Sequence, residues 1–257
     1  MYMPKLVFVI ITCFLTAGLP LTARLQEKKP EAKSFPMFTA SYSLQMPGGD
    51  MKTRFGINST IGGSFIYKHK TGLLFDLSSH YLFGTALKEE ASSILDGIKD
   101  SDGHIINEHG EFAKVVLSER GFFAGARLGY VIPVLKDNPN SGIIISGGGG
   151  LLQHKIRIEN DGNNAPQILH DYKKGYDKLT NGFCLTEFVG FVYFGKQHLV
   201  NFYAGFEFYQ GFTQSRRSYD FNLMGPDLQK RRDYLSGFKV GWIIPVYQRA
   251  PDPFYTN

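Results

Sequence analysis

Apolar and polar residues alternate along much of this chain with the period of a β-strand. Short apolar and aromatic runs are separated by polar segments, and within most runs every second side chain is apolar. This periodicity predicts eight strands, at residues 37–46, 55–67, 73–83, 121–131, 142–155, 182–194, 199–212 and 234–247. Most of them reach the roughly 9–11 residues that a tilted strand needs to cross a bilayer.

The segments between the predicted strands alternate in length. Three are short and rich in turn residues, at 68–72, 135–141 and 195–198. Those that alternate with them are long, at 84–120, 156–181 and 213–233, except for the modest first one at 47–54. Outer-membrane barrels have this arrangement, with short periplasmic turns, long extracellular loops and both termini in the periplasm. The predicted fold is all-β: an eight-stranded antiparallel transmembrane β-barrel.

The two faces of the predicted strands differ in composition. One face is apolar and aromatic, whereas the other combines glycine and serine with a few charges. This indicates an inside-out barrel with a narrow polar lumen. Single buried charges are costly, so we expect those of the lumen face to pair; they are Asp76, Arg127, Glu207 and Lys239. A salt-bridge cluster that fills a closed pore is the main interpretation, and a gated ion path is the alternative.

Two features do not follow this division of faces. The run of glycines at residues 147–150 is ambiguous in phase, and Glu187 falls on the face predicted to be outward. A β-bulge would shift either register.

Composition agrees with a barrel. Aromatic residues make up 14% of the 257 residues, with 22 Phe and 14 Tyr, and there are 29 Gly. The net charge of +5 is scattered over the polar segments, which favours solvated loops over a nucleic-acid-binding face. After Arg24 no run of 18 apolar residues occurs, so the sequence predicts no transmembrane helix there.

The N-terminal segment has the features of a targeting signal. Lys5 precedes an apolar stretch at residues 6–15, and Ala17 and Ala23 are small residues suited to cleavage. We expect residues 1–23 to be a signal peptide and 24–36 a polar leader, followed by the barrel at 37–247 and a periplasmic tail at 248–257. A lipoprotein lipidated at Cys13 and a retained anchor are the alternatives.

Few residues are arranged for chemistry, and we predict no catalytic, cofactor-binding or metal-ligating residue. Ser78, Ser79 and His80 would suit a lipid hydrolase, but no partner carboxylate stands at a fixed spacing. Residues 96–103 are rich in Asp and Gly yet lack the spacing of a calcium loop. Basic residues at 216–217 and 230–232 are candidates for contact with lipopolysaccharide. Candidates for aromatic girdles are Tyr81, Tyr130, Tyr193, Trp242 and Tyr247.

The chain resembles the small eight-stranded outer-membrane barrels of the OmpA and OmpX kind. Residues 232–251, RDYLSGFKVGWIIPVYQRAP, are similar to the last strand of uncharacterised barrels from Bacteroidota, and ASYSLQ at 40–45 is compatible with their first strand. The tail after Tyr247 departs from barrels that end on an aromatic residue. The resemblance implies an accessory subunit of a larger secretion or assembly complex.

The sequence therefore predicts a non-enzymatic barrel of the bacterial outer membrane that has a structural or accessory role. Its expected partners are outer-membrane lipid, lipopolysaccharide and other outer-membrane proteins or lipoproteins. A lipid-modifying enzyme and a small pore are the functional alternatives, and a soluble lipocalin-like binder is the alternative fold.

Overall fold

The structure is a computed structural model that describes residues 32–195 and 200–246. Eight strands account for most of it, and they are β1 (Phe35–Gly49), β2 (Asn58–Lys68), β3 (Leu73–Gly84), β4 (Val115–Pro133), β5 (Gly142–Asn160), β6 (Thr180–Phe194), β7 (Asn201–Ser215) and β8 (Lys230–Pro245). The predicted signal peptide, most of the leader, the tail and Tyr247 lie outside the described residues.

The strands form a closed antiparallel ring. Each pairs with its neighbours in sequence, and β1 pairs with β8 along most of its length, from Met37 opposite Pro245 to Gly49 opposite Asp233. Closure leaves no sheet edge, so every strand has two hydrogen-bonded neighbours. The predicted eight-stranded antiparallel barrel is confirmed.

The side chains of the ring are distributed as in a membrane-spanning barrel. Outward-facing residues are predominantly apolar and exposed, for example Phe206 at 59% and Trp242 at 63%, whereas alternate residues face the lumen and are buried. In β3 the outward Leu73, Phe75 and Leu77 alternate with the buried Leu74, Asp76 and Ser78, as the sequence predicts. An apolar wall around a partly polar interior suits lipid outside and a closed lumen inside.

The connections divide the barrel into two ends. The end with short connections, at residues 69–72, 134–141 and 195–200, is called the turn end; the opposite end, at 50–57, 85–114, 161–179 and 216–229, is called the loop end. In the first turn Gly72 has φ of 98°, a conformation that favours glycine. The loop end contains a helix, α1 (Glu89–Ser92), and 3₁₀ segments at Asp50–Thr53, Asp96–Ile98, Asp161–Asn163, Pro166–Ile168 and Tyr172–Gly175.

Several predicted strand boundaries are wrong at the loop end. Strands β4 and β5 pair beyond the apolar belt, from Arg120 opposite Lys155 to Val115 opposite Asn160, so both are longer than predicted. On β5 the outward residues there are the charged Lys155, Arg157 and Glu159, which alternate with the buried Ile156 and Ile158, so the apolar outward face that reveals a membrane strand is absent. Phe55, predicted to begin β2, instead forms an isolated bridge with Leu87 and is buried.

Strands β5 and β6 pair without a bulge through the two ambiguous features. Gly147 lies opposite Glu187 in a continuous register that runs from Gly142 to His154. Gly148 and Gly150 therefore face the lumen, and Glu187 faces outward. The possible shift of register does not occur. Among the described residues no helix is long and apolar enough to cross a membrane.

Candidate functional site

The middle of the lumen is filled by paired charges. Asp76 on β3 and Arg127 on β4 are directly opposite in the register, and the guanidinium donates from Nη2 at 2.7 Å and from Nε at 3.1 Å to Oδ2. Both side chains are buried. The expected ion pair is therefore present, and it spans two neighbouring strands.

A second ion pair organises a larger polar cluster. Lys239 Nζ lies 2.7 Å from Glu207 Oε2 and also donates to Nε2 of His80, at 3.1 Å. Glu207 accepts further hydrogen bonds from Gln45 Nε2 at 2.6 Å and from the Tyr209 hydroxyl at 3.1 Å. Both charged groups thus have several partners, as buried charges require.

An apolar layer closes the lumen on the side of the turn end. Phe188 and Tyr203 pack edge to face, with ring centroids 5.6 Å apart, and Phe35 packs in the same way on Phe194 at 5.3 Å. A cavity of about 30 Å³ lies within this layer and reaches from Lys68 to Asp76 and Arg127, which is room for one or two water molecules. The members of the layer are Phe35, Met37, Ile66, Leu74, Val131, Ile144, Phe188, Val192, Phe194, Tyr203 and Ile243.

The loops pack together as an apolar cap over the other side of the lumen. Met51 and Phe55 come from the first loop, Ile94 from the second and Ile168 from the third, and all four are almost fully buried. They pack with strand residues that line the loop end of the lumen, namely Leu82, Phe123, Leu152, Ile156, Ile158, Tyr209 and Leu235. The long connections are therefore folded onto the barrel.

Buried polar residues lie directly beneath the cap. Asp233 Oδ2 is 2.8 Å from His154 Nε2 and accepts from the Thr213 hydroxyl at 2.5 Å, with both Asp233 and His154 fully buried. Glu119 accepts from the Asn58 amide at 3.1 and 3.2 Å. The first group joins β5, β7 and β8, and the second joins β2 and β4.

Ion pairs join the third and fourth loops. Arg217 donates to both carboxylate oxygens of Asp177, and Lys178 Nζ lies 2.5 Å from Asp220. Asp227 accepts from Arg231 at 2.5 Å. Burial alone would raise the pKa of Asp227, but the hydrogen bond and charge of Arg231 outweigh it, so this pKa lies below its ordinary value. The cap is thus held by charge as well as by apolar packing.

The residues considered for hydrolysis and calcium binding have other roles. His80 and Ser78 face the lumen and are buried, whereas Ser79 faces outward, so the Ser79 hydroxyl and the His80 ring are separated by the barrel wall. His80 instead stacks on Phe123 and accepts from Lys239. In the second loop, Asp100 Oδ1 accepts the backbone amides of Asp102 and His104, which lowers the pKa of Asp100.

Basic side chains cluster on the outer surface of the loop end. Arg120 and Lys155 are direct cross-strand neighbours facing outward, and neither forms an ion pair within the part of the chain described. Arg217 in the fourth loop and Arg231 on β8 are engaged by carboxylates, but the remaining cations of the two predicted basic segments stay exposed. We call these outward cations the basic band: Arg120, Lys155, Arg157, Arg216, Lys230 and Arg232.

Aromatic residues lie near both ends of the apolar wall. Tyr130 and Trp242 are exposed near the turn end, and Tyr81 is exposed near the loop end. Tyr193 is half-buried near the turn end, where it packs on Phe202. Such positions are those of the aromatic girdles of membrane barrels.

Sequence reasoning missed two of these features. Arg120 and Arg157 of the basic band lay in segments predicted as loops, and Lys155 was predicted as the last residue of a strand, although Lys155 and Arg157 have the spacing of a strand face. The pair of His154 and Asp233 is separated by 79 positions, and no local pattern connects the two residues.

Comparison with known proteins gives similarity to solved structures alone, since no family model and no curated protein matches significantly. The chain is similar to Ail of Yersinia pestis, solved with the heparin analogue sucrose octasulfate, at 7% identity and a TM-score of 0.40, covering 82% of this chain and 99% of that one. It is similar to Neisserial surface protein A at 11% identity and a TM-score of 0.43, covering 82% of this chain and 98% of that one. It is similar to OprG of Pseudomonas aeruginosa at 11% identity and a TM-score of 0.40, covering 83% of this chain and 96% of that one. The fold assignment rests on the closed ring described above.

Proposed function

We propose that this chain is a non-enzymatic barrel of the bacterial outer membrane that serves as a structural or accessory subunit of a larger membrane complex. In this proposal both termini lie in the periplasm, and the capped loop end faces the exterior. Function then resides on the outer wall and on the exposed surface of the cap.

The filled lumen is the observation that carries this proposal. Three successive layers occupy it: the cap with the buried polar residues beneath it, the charged middle around Arg127 and Glu207, and the apolar layer around Phe188. Each layer is stabilised by packing or by ion pairs, so a path for solutes would require all three to rearrange. A barrel of eight strands encloses only enough space for side chains. An open channel and a lumen-based active site are both disfavoured.

The basic band supports the proposed orientation, in which the loop end faces the exterior. The outer leaflet of an outer membrane carries phosphate groups of lipopolysaccharide, and cations near an anionic surface each contribute about 1 kcal/mol of binding. Arg120 and Lys155 stand opposite each other without a carboxylate between them, an arrangement that is unfavourable unless an anion is shared. Lipopolysaccharide phosphate at the loop end would satisfy both groups.

The test is extraction of native outer membranes in mild detergent, followed by size analysis and mass spectrometry. We expect the chain in a particle larger than its monomer, with other outer-membrane proteins or lipoproteins in a constant ratio. Recovery of the chain solely as a free monomer would contradict the proposal. Ion conductance by the purified barrel in planar bilayers would contradict the filled lumen on which it rests.

A further inference from the structure

Glu187 places a carboxylate in the middle of the apolar wall. It is the central residue of the 15-residue strand β6, and its side chain is exposed on the outward face. Its neighbours along the strand, Leu185 and Val189, are exposed and apolar, as is Phe208 opposite it on β7. The group therefore lies at the level of lipid acyl chains, far from either membrane surface.

No group of the described chain compensates this carboxylate. Glu187 forms no hydrogen bond or ion pair within residues 32–195 and 200–246. The other charged outward side chains of the described strands lie at the loop end, in the basic band and at Glu159. Ionisable residues that face lipid are costly, and in membrane proteins they are usually paired and mark functional surfaces.

The wall beside Glu187 is indented. Gly147 lies opposite Glu187 on β5, whereas the next glycine on the same face, Gly149, is covered by the Phe183 ring. A Cβ atom added to Gly147 would meet only the Thr186 carbonyl, at 3.9 Å, so backbone crowding does not require glycine there. Gly147 therefore leaves room for a side chain from another molecule to reach the carboxylate.

We propose that the wall centred on Glu187 and Gly147 docks the wall of another outer-membrane protein, which presents an arginine or lysine at the same depth. An arginine fits best because its guanidinium binds a carboxylate through two parallel hydrogen bonds. This inference rests on the proposed accessory role and identifies the surface and the partner's chemistry.

Charge complementarity decides among the possible occupants. A second copy of this chain supplies no cation at this depth from its described strands, and a twofold contact would bring two Glu187 carboxylates together. Lipid acyl chains carry no hydrogen-bond donor, so lipid leaves the carboxylate without a partner. A different protein is the occupant that satisfies the group.

The experiment is photo-cross-linking in native outer membranes. A photoreactive phenylalanine analogue is placed at Val189, beside Glu187, and in a control chain at Phe65, which faces lipid on the opposite strand β2. We expect one protein adduct from Val189, identified by mass spectrometry, and none of that protein from Phe65. The cross-linked peptide should lie beside an outward Arg or Lys.

Three variants make the outcome specific. Glu187→Gln removes the charge and Gly147→Leu fills the indentation, and each should reduce the adduct at least tenfold. The control Ala40→Leu enlarges an outward residue on β1, three strands away, and should leave the adduct unchanged. Glu187→Arg combined with an acidic residue in place of the partner's cation should restore it.

The outcomes separate this inference from the proposed function. If the chain still co-purifies with its complex but Glu187→Gln leaves both co-purification and cross-linking unchanged, the docking surface is wrong and the accessory role stands. Adducts from Val189 with a second copy alone, or with lipid alone, also overturn the docking surface. If the wild-type chain co-purifies with no protein, both proposals fail.

Discussion

Lys239 on β8 and Glu207 on β7 form an ion pair inside the barrel, with Nζ 2.7 Å from Oε2 and neither side chain reached by solvent. The pair is not isolated, since His80 and Gln45 each hydrogen-bond to one of its members. It therefore stabilises contacts among four strands, β1, β3, β7 and β8.

Removal of one member of this pair should destabilise the barrel strongly. Glu207→Ala leaves the Lys239 ammonium buried without its counterion, and the expected loss is about 3–5 kcal/mol of unfolding free energy. The double variant Glu207→Leu, Lys239→Met should recover most of this loss. Urea unfolding followed by fluorescence of Trp242, the sole tryptophan, measures both. As a control, Glu159→Ala breaks the exposed pair with Arg157 and should cost less than about 1 kcal/mol.

Replacement of two adjacent glycines of β5 by alanine should have different effects on stability. A Cβ at Gly148 would lie 2.0 Å from the Ala126 carbonyl oxygen, whereas one at Gly147 would meet only the Thr186 carbonyl, at 3.9 Å. Gly148→Ala should therefore cost about 1–3 kcal/mol by overpacking, and Gly147→Ala should change stability little. The same unfolding assay compares them. The reverse order would mean that β5 is shifted by one residue, with its faces exchanged.

Replacement of Glu187 by an apolar residue should stabilise the isolated barrel. In a lipid bilayer without other proteins the carboxylate has no partner, so Glu187→Leu should add about 1–2 kcal/mol, less than the range for basic residues at the membrane centre. Folding titrations in urea with lipid vesicles measure the change. Ser79→Leu, a lipid-facing control without charge, should add less. A loss of stability in Glu187→Leu would show that the carboxylate is satisfied within the barrel.

The basic band should bind lipid A phosphate. Arg120→Gln with Lys155→Gln removes two cations and should weaken binding by about 2 kcal/mol, which is about thirtyfold, at about 1 kcal/mol for each charge. Titration of the detergent-solubilised barrel with lipid A measures the affinity, and high salt should reduce it. Lys70→Gln, at the turn end, is the matched control and should have no effect. If Lys70→Gln lowered the affinity for lipid A as much as the double variant does, binding would reflect general electrostatic attraction and not a defined site.

Acid should loosen the fourth loop through Asp227. Its pKa is lowered in the folded state, so the stabilisation by Arg231 is present above the unfolded pKa near 3.8 and is lost as pH falls through the lower folded value. At pH 7 Asp227→Asn should accelerate hydrogen exchange in residues 216–229, and below the folded pKa the variant and wild type should exchange alike. Asp171→Asn, in an exposed pair with Lys174, is the control. If the variant and wild type still differed in hydrogen exchange at the lowest pH, the effect of Asp227→Asn would come from the shape of the side chain rather than from its charge.

Much of the fold could be predicted because its signal is local and repeated. Alternation in β3, β7 and β8 assigns each side chain to lumen or lipid, and the same parity correctly placed Glu187 outward. The pairing of the lumen charges was also predictable, because an unpaired buried charge is costly. The loop end of β4 and β5 was missed because several outward residues there are polar or charged, so these segments lack the apolar outward face by which the membrane-spanning strands were recognised.

The sequence by itself determined the strand number, the alternation of short turns with longer loops, and the face on which most strand residues lie. Only the tertiary structure decided which residues meet: Asp76 with Arg127, His154 with Asp233, Glu187 with Gly147. The face on which a side chain lies depends on one strand alone, because side chains alternate with a period of two. Which residues contact each other depends on ring closure and on the register between strands, which no single segment specifies. The folding of the loops into a cap likewise depends on side chains brought together from three separate connections.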